Sequence, residues 1–263
     1  MSSTIPFVDR IATLKVRPSF PDHRDYLSGA MPPMQLPSSA TTGVTVPVKD
    51  QKRQGSCTGN GYSSMVEALL LLAGKPYDEK SRAMIYAMER IAEGDLDRDA
   101  GAQPIDGCKV LTDTGVCGEP DMPYNDQVFN RSPSQQAIVD AASCKIGGYA
   151  LATGSLALKT AIYLTATGQK VETAGIGIAV YPSFERVGAD GVVPMPLPNE
   201  GPLGGHFVYA GLSYQDDAFT EGGGMVECQN SWSDAWGKRG HMFIPYAYFD
   251  NPQYCFECRV AWL

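Results

Sequence analysis

Two hydrophobic patterns divide the chain into a helical first part and a strand-rich second part. Apolar positions at helical spacing predict a helix over residues 57–73, which Gly74 and Pro76 end, and a second helix over about 79–93, which Gly94 ends. The second half of the first helix is apolar on every side, a pattern typical of a helix that is buried all round.

After about residue 145 the pattern changes. One further helix is predicted from Leu156 to Thr167, with Ser155 as its candidate cap. Short apolar runs between Gly and Pro turns then follow: GIGIAVY (175–181), HFVYAGLSY (206–214), GMVECQN (224–230) and GHMFIPY (240–246). Such runs predict an antiparallel sheet or a small barrel. The fold class is therefore α+β.

The first 45 residues predict an N-terminal proline-rich arm. Its stretch MPPMQLPSSATTG (31–43) is extended or loop-like, because each proline restricts its own backbone and that of the residue before it.

Composition and charge exclude several classes of partner. The 263 residues carry a net charge of −8, which argues against nucleic acid as a general partner, because phosphate binding needs clustered Lys and Arg. The longest apolar stretch, Ala68 to Ala73, is far shorter than the roughly 20 residues of a spanning helix, so no membrane partner is expected. The N-terminus has no apolar signal region, which predicts a cytoplasmic protein.

The seven cysteines are an odd number, so at least one thiol has no partner within the chain, and most are expected to be reduced. Three scattered histidines and irregular cysteine spacings form no recognisable ligand set, so neither a metal nor another cofactor is predicted. The pair CFEC (255–258) lacks the second pair that a zinc site needs.

Cys57, in QKRQGSCTGNGY, could be a packing residue, half of a disulfide, a metal ligand or a nucleophile. It lies at a predicted helix start, where partial positive charge lowers the pKa of a thiol. Gly55 and Ser56 allow backbone to approach a substrate closely. Position alone still favours a packing cysteine, since free cysteine is among the most buried residue types.

A nucleophilic cysteine needs a base, and His206 is the best placed of the three histidines. It follows two glycines at the mouth of a predicted strand, whereas His23 lies in the arm and His241 lies inside another strand with polar neighbours. Asn230 ends the following run, where its amide could fix the tautomer of the imidazole. Trp232 could shield that hydrogen bond from water.

These motifs resemble those of the papain-like cysteine peptidase family, in its bacterial and viral branch. The matching stretches are QGSCT around the cysteine, GGHFVYAGLSY around the histidine and NSWSDAWGKRG around the asparagine, and similarity extends from about residue 17 to about residue 250. The resemblance implies a two-lobe fold with a cleft between a helical left lobe (about 46–143) and an antiparallel β-barrel right lobe (about 144–250). Residues 251–263 would form a C-terminal tail.

The resemblance also implies roles for individual residues. Cys57 would be the nucleophile that forms a thioester, His206 its acid and base, Asn230 the residue that orients His206, and Gln51 an oxyanion-hole donor. The residues implied to contact a peptide substrate are Gly55, Ser56, Gly101, Gly205 and Trp232.

Three departures from the family pattern affect the expected mechanism. Gln54 stands where the family has a disulfide cysteine, and Thr58 stands where it has an aromatic residue after the nucleophile. The arm is too short and too rich in proline to be the usual inhibitory pro-region, so a zymogen mechanism is not implied. We expect the arm to pack along the body or against an assembly partner.

Two functions follow from this pattern. The first is a cysteine endopeptidase that acts on peptides or proteins, and an amidase or transglutaminase would use the same Cys-His chemistry. The alternative is a papain-fold structural or virion-associated component, for example of a bacteriophage particle, with little or assembly-restricted protease activity.

Overall fold

The computed structural model describes residues 5–22, the backbone of 27–28, and residues 34–263. His23, a candidate of the sequence analysis, lies outside the described residues.

Seven α-helices are described, and the three predicted helices are confirmed within a few residues. The helices are α1 (Phe7–Ile11), α2 (Cys57–Leu72), α3 (Arg82–Glu93), α4 (Pro104–Asp113), α5 (Gln135–Ala141), α6 (Gly154–Ala166) and α7 (Tyr246–Phe249).

Local signals explain where the predicted helices begin and end. The Ser81 hydroxyl accepts a hydrogen bond from the Met84 amide at the start of α3, and Gly94 ends α3 in the left-handed conformation (φ 75°), which glycine adopts without strain. The predicted cap of α6 is wrong. Thr153 is the N-cap, and Ser155 lies inside the first turn with its amide 2.7 Å from Asp250 Oδ1.

In the described part of the chain, eight strands form one sheet. They are β1 (Leu27–Ser28), β2 (Ser39–Thr41), β3 (Gly148–Ala152), β4 (Glu172–Val180), β5 (Gly204–Asp216), β6 (Gly224–Gln229), β7 (His241–Pro245) and β8 (Cys255–Trp262). Their order is β1-β3-β8-β4-β5-β6-β7, and β2 pairs with the second half of β5. Among these described strands, every pairing is antiparallel except that of β1 with β3.

The sheet is open, so the prediction of a closed β-barrel is wrong. Among the described residues, the edge strands β1 and β7 do not pair with each other. The outer edge of β7 is instead covered by a loop, because Phe243 exchanges backbone hydrogen bonds with Gly191 (2.9 Å) and Val193 (3.0 Å). The loop pairs with backbone groups at this edge that would otherwise be exposed. Closure of the sheet has the same effect in a barrel.

The predicted C-terminal tail is a strand in the interior of the sheet. β8 pairs with β3 on one side and with β4 on the other. Because most of its residues are buried, β8 lacks the alternation of polar and apolar residues that marks a strand with one exposed face. Cys255 and Cys258 are therefore strand residues, and both are free thiols.

Part of the predicted arm is also structural. Ser39–Thr41 forms β2, and the segment of residues 5–22, which we call the N-terminal segment, packs against the body of the protein.

Two apolar clusters pack helices against the sheet, and one of them holds α2. One lies within the sheet and includes α6, and the other joins α2 to β5 through contacts such as Tyr62 with Phe207, whose rings lie 4.4 Å apart. The start of α2 and the start of β5 therefore meet where the two halves of the molecule come together.

Within the described part of the chain, no helix is long and apolar enough to cross a bilayer. Nor do the described His, Cys, Asp and Glu side chains form a group that could hold a metal ion.

Candidate active site

Cys57 is the first residue of α2, and its side chain is fully buried. The backbone amide of Phe207, the residue after His206, interacts with the thiol. The structure therefore brings the predicted nucleophile and the predicted base together, although they are far apart in sequence.

His206 is held in one tautomer by its partner. Its Nε2 lies 2.7 Å from Asn230 Oδ1, and the same oxygen accepts a hydrogen bond from the Ser231 amide at 2.8 Å. An amide oxygen can only accept, so Nε2 carries the proton and donates it. Nδ1 of the neutral ring is then unprotonated, and it is buried with no hydrogen-bond partner, which leaves its lone pair for the thiol proton.

Trp232 covers this pair, as predicted. Its ring stacks on His206 with centroids 4.9 Å apart and an angle of 28° between the planes, and both side chains are fully buried. Trp236 packs edge-on against Trp232 at 5.1 Å. The hydrogen bond between His206 and Asn230 is thus excluded from water, which strengthens it.

The amide of Gln51 is oriented by two hydrogen bonds. Its Oε1 accepts from Ser231 Oγ at 2.6 Å, and its Nε2 donates to the Gln54 carbonyl at 3.0 Å. One Nε2 hydrogen is left without an assigned acceptor, so Gln51 can donate it to an oxyanion.

Ser231 is a site residue that the sequence analysis missed. Its side chain and backbone contact both Asn230 and Gln51. Its carbonyl also accepts a hydrogen bond from the backbone N–H of Gln51 at 2.9 Å. The sequence signal was its place directly after Asn230, but only the fold shows that one serine links the two predicted site residues.

The N-terminal segment covers the site. Its Phe7 ring packs edge-on against Trp232 at 6.2 Å, and its Val16 amide donates to the carbonyl of Gly205 at 3.2 Å. Val16 also belongs to the same apolar cluster as Cys57.

Charged side chains anchor the N-terminal segment at both ends of the site. Arg10 donates to Asp50 Oδ1 at 3.0 Å and to the Trp232 carbonyl at 3.2 Å. Further along, Lys15 Nζ lies 2.7 Å from Asp99 Oδ2. The sequence predicts an arm that packs along the body or against an assembly partner, but no local pattern places it over the catalytic residues.

The predicted substrate-binding residues border the same path. Gly101 (φ +73°) and Gly205 are so close to the backbone of the N-terminal segment that a β-carbon on either would overlap it. Gly55 lies against the Lys15 side chain, whereas the Ser56 hydroxyl points away and lies 2.7 Å from Tyr124 Oη.

Burial keeps the catalytic pair uncharged in this arrangement. It raises the pKa of the Cys57 thiol to about 12, despite the opposing effect of the Phe207 amide. It also lowers the pKa of His206 to about 4, although the hydrogen bond from His206 to Asn230 acts in the other direction. Near neutral pH the covered site therefore holds a thiol and a neutral imidazole.

The geometry can be compared with that of known proteins. No protein-family model matches the chain. An uncharacterised peptidase C1-like protein of Acanthamoeba polyphaga mimivirus is 31% identical over 206 residues, which are 76% of this chain and 64% of that protein. The structure of xylellain, a cysteine protease from Xylella fastidiosa, is 29% identical and matches with a TM-score of 0.82 over 95% of this chain and 96% of xylellain. By these measures the chain is similar to papain-like cysteine peptidases.

More distant papain-like structures share the fold. A procathepsin B from Trypanosoma congolense is 14% identical with a TM-score of 0.71, over 98% of this chain and 88% of that one. A digestive procathepsin L of Tenebrio molitor is 19% identical with a TM-score of 0.70, over 97% of this chain and 79% of that one. The predicted papain-like fold is thus confirmed, with an open sheet in place of the barrel.

Proposed function

We propose that the protein is a cysteine endopeptidase that hydrolyses peptide bonds through a thioester. The observation that carries this proposal is the His206–Asn230 pair, whose free Nδ1 lies buried where the start of β5 meets the first residue of α2. The similarity to xylellain, which is described as a cysteine protease, supports the same activity.

Each step of the reaction has a group to perform it. Nδ1 of His206 takes the proton of Cys57, and the thiolate attacks the carbonyl carbon of the substrate. Gln51 Nε2 and the Cys57 amide donate to the oxyanion. The imidazolium then gives its proton to the leaving amine, and water hydrolyses the thioester with His206 as base.

We further propose that the structure represents a latent form, in which the N-terminal segment excludes substrate. The segment occupies the path along Gly101 and Gly205, and burial beneath it suppresses both charges of the catalytic pair. To test activity, the charged anchors are removed in an Arg10→Ala/Lys15→Met protein, which we call the loosened variant.

The proposal is tested by alkylation of the loosened variant with a peptidyl epoxide near neutral pH, followed by peptide mass mapping. We expect modification of Cys57 alone, together with hydrolysis of pooled peptidyl-coumarin amides. A folded loosened variant whose Cys57 does not react would favour the alternative of a structural component. An assembly partner, a cytoplasmic location and a virion location stay predictions.

Replacing Gln51 with alanine in the loosened variant is expected to lower kcat about 10²- to 10³-fold and to change KM little, because the oxyanion exists only after attack. Steady-state kinetics on a coumarin amide measure both constants. Gln253→Ala, at an exposed position, is the control and should leave both unchanged. A rise in KM with an unchanged kcat would place Gln51 in substrate binding instead.

A further inference from the structure

The amine of Lys15 occupies a defined site beside the catalytic residues. Nζ lies 2.6 Å from the Asp99 carbonyl and 2.7 Å from Asp99 Oδ2. The side chain passes over Gly55, where a β-carbon would come within 2.8 Å of Lys15 Cδ. The Lys15 backbone bridges to Gly205, the residue before His206. A side chain of the segment thus enters the protein where a side chain of a bound peptide would lie.

The Asp99 carboxylate is fixed by the body of the protein as well as by Lys15. The Tyr86 hydroxyl donates to Asp99 Oδ1 at 2.6 Å, and the Gly55 amide donates to the two carboxylate oxygens at 3.0 and 3.1 Å. Burial acts to raise the pKa of Asp99, but the hydrogen bonds from Lys15, Tyr86 and Gly55, together with the charge of Lys15, hold the pKa below its usual value. The hydrogen bonds from Tyr86 and Gly55 do not depend on Lys15 and still orient the carboxylate when Lys15 leaves.

A largely buried carboxylate without a cation is unfavourable, because the neutral donors that remain compensate its charge only in part. A ligand that brings a cation into this position regains the interaction that Lys15 makes in the covered site. The overall charge of −8 also favours the approach of basic peptides.

The position of Asp99 relative to the cleaved bond follows from the chemistry. His206 must face the leaving amine in order to protonate it, and Trp232 lies on His206, so the Trp232 end of the site is the leaving-group side. Asp99 contacts Gly55, in the turn that precedes Cys57, at the other end of the segment's path. A side chain that reaches Asp99 therefore belongs to the acyl part of the substrate.

We propose that Asp99 selects lysine or arginine at the substrate residue whose carbonyl is attacked, and that Lys15 takes the place of that side chain in the covered site. This inference rests on the proposed peptidase function. It gives the enzyme a substrate class, namely peptides cleaved after a basic residue.

The test uses two chloromethyl ketones on the full-length loosened variant. They are acetyl-Ala-Ala-Lys-chloromethyl ketone and its norleucine analogue, which has a similar length and no charge. In each reaction a bond forms between Cys57 Sγ and the methylene carbon, and chloride leaves. Second-order rates are measured by intact mass, and the site is mapped by peptide mass.

We expect the lysine probe to react about 10- to 100-fold faster than the norleucine probe. This ratio corresponds to the free energy of one hydrogen bond to a charged group. Asp99→Asn should bring the ratio close to one. The matched control is Asp97→Asn, in the same loop with a side chain that is 84% exposed, and it should keep the preference.

Equal reaction rates of the two probes with the loosened variant that keeps Asp99 would overturn the inference and leave the peptidase function intact. A preference that survives Asp99→Asn would also overturn it. If neither probe labels Cys57 in folded protein, the proposed function fails and the inference fails with it. The two probes are also compared on the loosened variant that keeps Asp99. That comparison decides the question even if the Asp99→Asn protein does not fold.

Discussion

Replacing His206 with alanine in the loosened variant is expected to lower the rate of peptide hydrolysis roughly 10⁴-fold and to abolish alkylation of Cys57 by a peptidyl epoxide at pH 7. The unprotonated Nδ1 of His206 is the group that can accept the thiol proton, and without it Cys57 stays a neutral thiol. The loss of the imidazolium also removes the proton donor for the leaving amine, so attack and departure both slow.

The control for this prediction is His241→Ala. His241 lies in β7, and its Nδ1 is 2.8 Å from Glu227 Oε1 on the neighbouring strand β6. We expect its substitution to leave the hydrolysis rate unchanged in folded protein. If His206→Ala kept more than about a tenth of the activity, general acid-base catalysis by His206 would be refuted.

The loosened variant is expected to react with a peptidyl epoxide at least about 10²-fold faster at pH 7 than the unsubstituted protein. Its two substitutions remove charge-assisted hydrogen bonds of Arg10 and Lys15, each worth about 1.5–3 kcal/mol. The covered arrangement is stabilised less, so the population of molecules with an open site rises.

The pH dependence of the alkylation rate distinguishes exposure of the catalytic pair from other effects of the two substitutions. In the covered site, burial disfavours the charged form of both groups, which raises the pKa of Cys57 to about 12 and lowers that of His206 to about 4. The reactive thiolate should therefore increase about tenfold per pH unit above neutrality in the unsubstituted protein. In the loosened variant, water reaches the pair, the pKa of the thiol falls and that of the imidazole rises. Where the thiol pKa falls below that of the imidazole, a thiolate–imidazolium pair persists through neutral pH and the rate should be almost constant there.

Charge removal at an exposed site is the control for this prediction. Lys145→Ala removes an exposed lysine whose amine donates to the Asp113 carbonyl, away from the N-terminal segment, and should not change the rate or its pH profile. If the loosened variant and the unsubstituted protein reacted equally fast with the same pH profile, the N-terminal segment would not restrict access to Cys57.

The candidate catalytic residues could be predicted from the sequence because a local signal accompanies each of them. Cys57 stands at a helix start, His206 after two glycines at a strand start, and Asn230 at a strand end. The described structure places all three at these element boundaries. Gln51 was reached only through the family resemblance, since no local pattern distinguishes it from other glutamines.

Contacts between segments that are far apart in the sequence could not be predicted from local patterns. Asp99 and Lys15 have ordinary sequence surroundings, and their ion pair exists only because the fold brings residues 84 positions apart within 2.7 Å. β8 was missed because a strand with neighbours on both sides is buried on most of its length and loses its periodic pattern.

The sequence by itself determined three of the helices, four of the strands, the family resemblance and the three candidate catalytic residues. It could do so because helix and strand periodicity and short motifs are properties of neighbouring residues. The tertiary structure decided that the sheet stays open, that the last strand lies in its interior and that the N-terminal segment covers the site. It also decided the charge state of the catalytic pair, since burial, and not the identity of the residues, moves the pKa values of Cys57 and His206 away from their ordinary range.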